Sequence, residues 1–149
     1  MDLMDLPASG ALLGLDPGTR TVGVAACDAN RLIASPVETI PRERKLAPVL
    51  DRLFHLYDDR KCVGIVIGMP LNLNGSPGPR AQSVRAFGRS ILERRDVPVA
   101  WWDERMSTMA VERTLLEADA SRERRAEVID KMAAAFILQG AVDRLAESR

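Results

Sequence analysis

Acids stand at three positions where structure alone would not place them, with Asp103 and Glu104 as alternatives at the second. Asp16 lies in "LLGLDPGTRTVGVAACD", residues 12–28, at the end of an apolar run and directly before a Pro-Gly pair. A carboxylate withdrawn from water at that point is costly unless something satisfies it. Asp103 and Glu104 end a second apolar run in "AWWDER" and point to opposite faces if that strand persists. Asp130 heads the stripe Ala133, Ala134, Ile137, Leu138, Ala141 and Leu145 of a late helix, one turn before the paired alanines. Each acid alone could accept a local hydrogen bond in its own turn, at the next helix start or from a nearby arginine. Together, one acid ending a first strand, one ending a second and one on a helix make a site for a hard divalent cation. Mg²⁺ takes oxygen ligands, commonly one or two carboxylates with water and substrate phosphate. Two such ions roughly 4 Å apart activate a water and stabilise the leaving oxygen in phosphodiester cleavage.

The elements that must position these acids follow from the pattern. "ALLGLD" and "TVGVAACD" read as strands joined by "PGTR", and Asp16–Thr19 suits a type II turn, with Pro17 presetting φ and Gly18 supplying a positive one. A third strand falls in "LIASPVETI", where Pro36 indicates a break or an edge position. These three form an antiparallel meander. Leu46, Val49, Leu50, Leu53, Phe54 and Tyr57 recur at helical spacing, with Pro48 in the first turns. "VGIVIG", residues 63–68, is short, β-branched and continuously apolar, as a central parallel strand covered on both faces should be. A Gly/Pro/Asn loop follows, then a helix in "RAQSVRAFGRSILERR", a strand in "VPVAWW", and helices from about Ser107 to Glu117 and from about Ala126 to Ala146. The expected fold is α/β with a mixed five-stranded sheet. Residues 1–10 read as a flexible leader and residues 11–147 as one domain.

Composition narrows the function classes. At 149 residues the chain suits one domain, and a formal net charge of zero requires nucleic-acid binding to rest on local basic surface. Arg20 and Arg105 flank the candidate acids, and Arg80, Arg85 and Arg89 belong to the helix after the loop. With Asn72 and Asn74 of that loop they form a candidate phosphate-holding rim. Cys27 and Cys62 lack metal-ligand spacing and read as reduced core thiols. His55 has no partner at ligand spacing, and no Ser/His/Asp or Cys/His nucleophile arrangement is visible. No apolar run reaches membrane-spanning length, and "MDLMDLPASG" lacks a signal peptide's basic start and apolar core, so a cytoplasmic location is expected.

Four blocks in order, "LGLDPGTRTVGVA", "IVIGMPLNLNGSPGPRAQSVRAF", "DERMST" and "DKMAAAFILQ", resemble the signatures of the YqgF (RuvX) family, described as Holliday junction resolvases or pre-16S rRNA nucleases. The likeness runs from Leu12 to about Leu145. It implies an RNase H-like fold and an endonuclease dependent on Mg²⁺ or Mn²⁺, acting on precursor rRNA or branched DNA. It also implies that Asp16, Glu104 and Asp130 are the catalytic and metal-binding acids, with Asp103 the alternative at the second position. In related RuvC-type resolvases the second acid ends the fourth strand. Here that strand ends Gly68-Met69-Pro70, so the acid must come from after strand five. A homodimer would suit symmetrical junction cleavage; RNA trimming need not require one. Two other readings compete: a non-catalytic nucleic-acid or ribosome-associated factor retaining the fold, and an actin-like ATPase or sugar kinase. The second would need two such domains.

Overall fold

The computed structural model describes residues 2–42, 44–70, 78–103 and 122–147, and of residues 79 and 122–130 the backbone alone. Strands β1 (Ala11–Pro17), β2 (Thr21–Cys27) and β3 (Ala34–Pro41) form an antiparallel meander. Helix α1 (Ala47–Asp59) leads into β4 (Cys62–Met69), and α2 (Pro79–Arg94) into β5 (Val99–Asp103). Helix α3 (Arg122–Glu147) ends the described chain. The sheet order is β3-β2-β1-β4-β5, with β4 parallel to both β1 and β5. The expected mixed sheet is therefore present, with β4 inside it and Pro36 on an edge strand, where a missing N–H costs no ladder bond. The helix expected at about Ser107–Glu117 lies outside the described residues.

Two apolar layers sandwich the sheet. On one side Leu13 and Leu15 of β1, with Ile65 and Ile67 of β4, meet Leu53 and Phe54 of α1 and Val84, Phe87 and Ile91 of α2. The i, i+3, i+4 spacing of those helical residues gives each helix a single apolar stripe for the sheet. On the other side Leu12, Ala25, Val66 and Ala100 meet Ala134, Ile137, Leu138 and Ala141 of α3. Pro48 occupies the first turn of α1, where its missing N–H is harmless.

Residues 1–10, expected as a flexible leader, place Leu3 and Leu6 in the buried α3 layer. Arg31, only 6% exposed, holds the segment, donating from Nε to the Gly10 carbonyl at 2.7 Å and from Nη2 to the Pro7 carbonyl at 2.8 Å. No helix among the described residues is long and apolar enough to cross a membrane.

Candidate active site

Asp16 sits near the end of β1, the middle strand of five, and is half-buried. Alternation along β1 sends Leu13 and Leu15 to the α1/α2 layer and Leu12 to the α3 layer, so Gly14 and Asp16 face α3. Gly14 is needed there, because a Cβ on it would stand 2.7 Å from the Leu138 Cβ and 3.2 Å from the Ala134 carbonyl oxygen. Helix and strand thus touch nearly backbone to backbone. Across the ladder, Asp16 pairs with Gly23 of β2. On the other flank Leu15 pairs with Ile67, so Gly68 of β4 continues the row beside Asp16, and Gly68 in turn pairs with Trp102 of β5. The carboxylate therefore has a residue without a side chain on each flank of its row. A half-buried carboxylate near a strand end is the kind of oxygen ligand that a hard cation takes.

The turn after Asp16 differs from the expected type II. Pairing of β1 with β2 continues through Pro17, opposite Val22, and among the described glycines only Gly10 has a positive φ. The turn is instead the Gly18–Arg20 tip, closed by the Gly18 N–H donating to the Thr21 carbonyl at 2.8 Å. The ladder with β2 holds Pro17 extended, which moves the reversal beyond the Pro-Gly pair. Gly18 is required for close approach, since a Cβ there would lie 3.0 Å from the Thr21 oxygen. Two arginines brace this tip. Arg80 of α2 donates to the Pro17 carbonyl at 3.3 Å, and Arg42, just past β3, donates from Nη1 to the Gly18 carbonyl at 2.6 Å. A cleft of about 210 Å³ lies between turn and helix, lined by Pro17, Gly18, Thr19, Arg80, Ser83 and Val84. A larger groove, about 650 Å³, opens at the other end of the sheet beside Cys27, Asp28, Arg60 and Lys61, and holds none of the candidate acids.

The end of β5 sets the face on which Asp103 falls. Trp101 packs on the α1/α2 layer, and a Cβ on Gly88 of α2 would meet its ring at 2.6 Å. Trp102 packs on the α3 layer, against Gly140. Alternation then puts Asp103 on the α1/α2 face, the side of the sheet away from Asp16. Glu104, Arg105, Asn72 and Asn74 lie outside the described residues. Asp130 lies in α3, where the backbone alone is described, one helical turn before Ala134. Among the described residues no three acids, histidines or cysteines are gathered as a metal site.

The candidate rim divides similarly. Arg20 is exposed at the turn tip, and Arg80 reaches the same turn. Arg85 and Arg89 are exposed on α2, about 7 and 13 Å farther along its axis at 1.5 Å per residue, on the side of the sheet away from α3. Sequence reasoning missed Gly23, Gly68 and Arg42. The glycines carried no signal without the strand register. For Arg42 the only hint was a cation directly after a strand-ending proline.

The sheet order, the acid near the end of the central strand and the long helix across one face define the class: an RNase H-like fold. RuvC of Thermus thermophilus in complex with a Holliday junction substrate superposes with a TM-score of 0.58 at 15% identity, over 92% of this chain and 96% of that one. The yeast mitochondrial Holliday junction resolvase superposes with a TM-score of 0.53 at 14% identity, over 97% and 83%. At such identities the likeness concerns fold alone. Sequence goes further. Residues 10–144 match RuvX, described as Holliday junction resolvase, and the chain belongs to that family. A candidate pre-16S rRNA nuclease of Cereibacter sphaeroides is 56% identical over 96% of this chain and 89% of its own length, and one of Zymomonas mobilis is 57% identical over 95% and 85%. The chain is accordingly an enzyme of the phosphodiester-hydrolysing kind.

Proposed function

We propose that this chain is a divalent-metal-dependent endonuclease of the cytoplasm that trims the precursor of 16S rRNA, using Asp16, Glu104 and Asp130. The observation that carries the reading is the placement of Asp16: half-buried, facing α3, flanked in its row by glycines, at the end of the middle strand. The Ala134–Leu138 turn rests on Gly14. A step of two residues along β1, about 7 Å, and a step of four along a helix, about 6 Å, are nearly equal. Asp130 on α3 is the natural partner of Asp16 by that spacing. Alternation along β5 favours Glu104 over Asp103 as the second acid, because Asp103 falls on the face away from Asp16.

Mg²⁺ or Mn²⁺ held there would supply an activated water and charge neutralisation at the leaving oxygen. The residues' part is to hold their carboxylates ionised and close, which repulsion forbids without a cation. Arg20 at the turn tip and Arg80 at the cleft orient the phosphodiester backbone, a contact that positions substrate without reading its bases. The names of the 56–57% identical relatives favour precursor rRNA over a DNA junction.

The deciding assay is cleavage of a 16S rRNA precursor and of a four-way DNA junction, side by side, with Mg²⁺, with Mn²⁺ and with EDTA. Metal-dependent cutting of the RNA is expected, lost in Asp16→Asn. Preference for the junction would reassign the substrate, and paired symmetrical cuts would require two copies. Binding without turnover would leave a non-catalytic factor.

A further inference from the structure

The β1–β2 turn is held from outside to an extent that a surface hairpin does not need. Carbonyls at such tips are ordinarily satisfied by water. Here three of them accept protein donors. Arg80 donates to Pro17 at 3.3 Å, the Arg42 guanidinium to Gly18 at 2.6 Å, and the Arg42 backbone N–H to Arg20 at 2.7 Å. The Arg42 guanidinium carbon also stands 5.3 Å from the centroid of the Phe87 ring, a residue 1% exposed in the α1/α2 layer. One side chain thus ties the end of β3, the turn after Asp16 and the buried stripe of α2. Lysine could not replace it, because only a planar guanidinium offers a ring-stacking face and directed donors at once.

We propose that Arg42 is a positioning residue for the reaction: it fixes Asp16 through the turn carbonyls and does not itself hold the nucleic acid. Its Nη1 is committed to Gly18 and its guanidinium stands over Phe87 in a half-buried side chain, so it differs from Arg20, which is exposed at the same tip. Pro17 and Gly18 follow Asp16 directly, and slack there passes straight to the carboxylate. The inference rests on the nuclease reading for its consequence in rate, but not for its consequence in turn rigidity.

The test uses the full chain with Arg42→Ala and Arg42→Lys, and reads three quantities. Single-turnover cleavage by Arg42→Ala should fall roughly 10- to 100-fold, the scale of a 1 Å misplacement of a reacting group. Arg42→Lys should recover little of it, whereas millimolar guanidinium, at ionic strength matched with sodium chloride, should restore part of the rate in Arg42→Ala. Nucleic-acid affinity and the slope of its salt dependence should stay within about twofold, where loss of a phosphate contact would lower the slope by about one. Amide exchange in the 18–21 turn should quicken at least tenfold while that of α1 stays unchanged. A drop in affinity with a lower salt slope, at an unaltered rate per bound complex, would make Arg42 a substrate contact and overturn the proposal; so would unchanged exchange in the turn. Should Arg42→Ala fail to fold, Arg42→Lys carries the same three readouts. Should the wild type not cleave, the nuclease reading fails, and the exchange comparison still decides whether Arg42 holds the turn.

Discussion

The two faces of the sheet solve different problems. Toward α1 and α2 the filling is large: Leu13, Leu15, Leu53, Ile65, Ile67, Phe87 and Ile91 are all at most 1% exposed. Toward α3 large residues such as Leu12, Ile137 and Leu138 alternate with small ones: Gly14 in β1 meets Ala134 and Leu138, Gly140 meets Trp102, and Ala134, Ala135 and Ala141 lie on the helix. Large side chains maximise apolar area removed from water, whereas small ones let backbones approach and leave room near polar groups. The face that buries less is the one that carries Asp16. On the proposed reading, chemistry sits on the face opposite the larger core, and substitutions can pull activity and stability apart.

The largest effect should come from Asp16→Asn. It removes charge at nearly constant volume, so cleavage should drop by at least about a hundredfold, the scale on which loss of one transition-state-stabilising group is felt. Turnover near the wild-type level would remove Asp16 from the site.

On the other face Leu53→Ala should do the reverse. Leu53 is fully buried in α1, and its truncation should cost about 2–5 kcal/mol in denaturant melts. The single-turnover rate of the remaining folded protein should stay near that of the wild type. A rate loss larger than the unfolded fraction explains would show that the two faces are coupled.

Cys62 sharpens the contrast by titration. It lies in the α1/α2 layer, where burial, assisted by the neighbouring Cys27, pushes its thiol from 9.0 up to about 11. Below pH 9 both folded and unfolded chains keep the proton. Above it the unfolded chain releases its proton first, so stability should decline by roughly 2–3 kcal/mol as the pH rises through 9 to 11. Urea melts across that window should show a shallower decline for Cys62→Ala. An identical slope in both proteins would mean the thiol is more hydrated than its burial indicates.

A stability loss of about 1–3 kcal/mol is expected for Gly14→Ala, which forces a Cβ to 2.7 Å from that of Leu138. Leu138→Ala keeps its own Cβ and relieves nothing. Since α3 must shift away from β1, cleavage should suffer more than in Leu53→Ala despite the smaller loss in melts. If the rate follows stability in both variants, the close helix–strand contact is structural only.

How legible all this was depends on the range of the interactions. Local pattern sufficed for the strands and the three described helices, because side-chain periodicity reports which residues must leave water. It sufficed for Pro48 at a helix start and for Pro36 on an edge, which follow from one missing N–H. It also put Asp16 on the face of Leu12 and Gly14. The type II turn failed because a ladder partner, Val22, extended the strand past Pro17 against the local preference of the Pro-Gly pair. The face of Asp103 required knowing which helix covers Trp101 and which covers Trp102. Asp16, Gly14 and the strand order of hydrophobicity are properties of neighbours in the chain, so the sequence by itself determined them. The glycines flanking Asp16, the face on which Asp103 falls and the grip of Arg42 on Gly18 depend on register and packing between distant segments, and only the tertiary structure decided those.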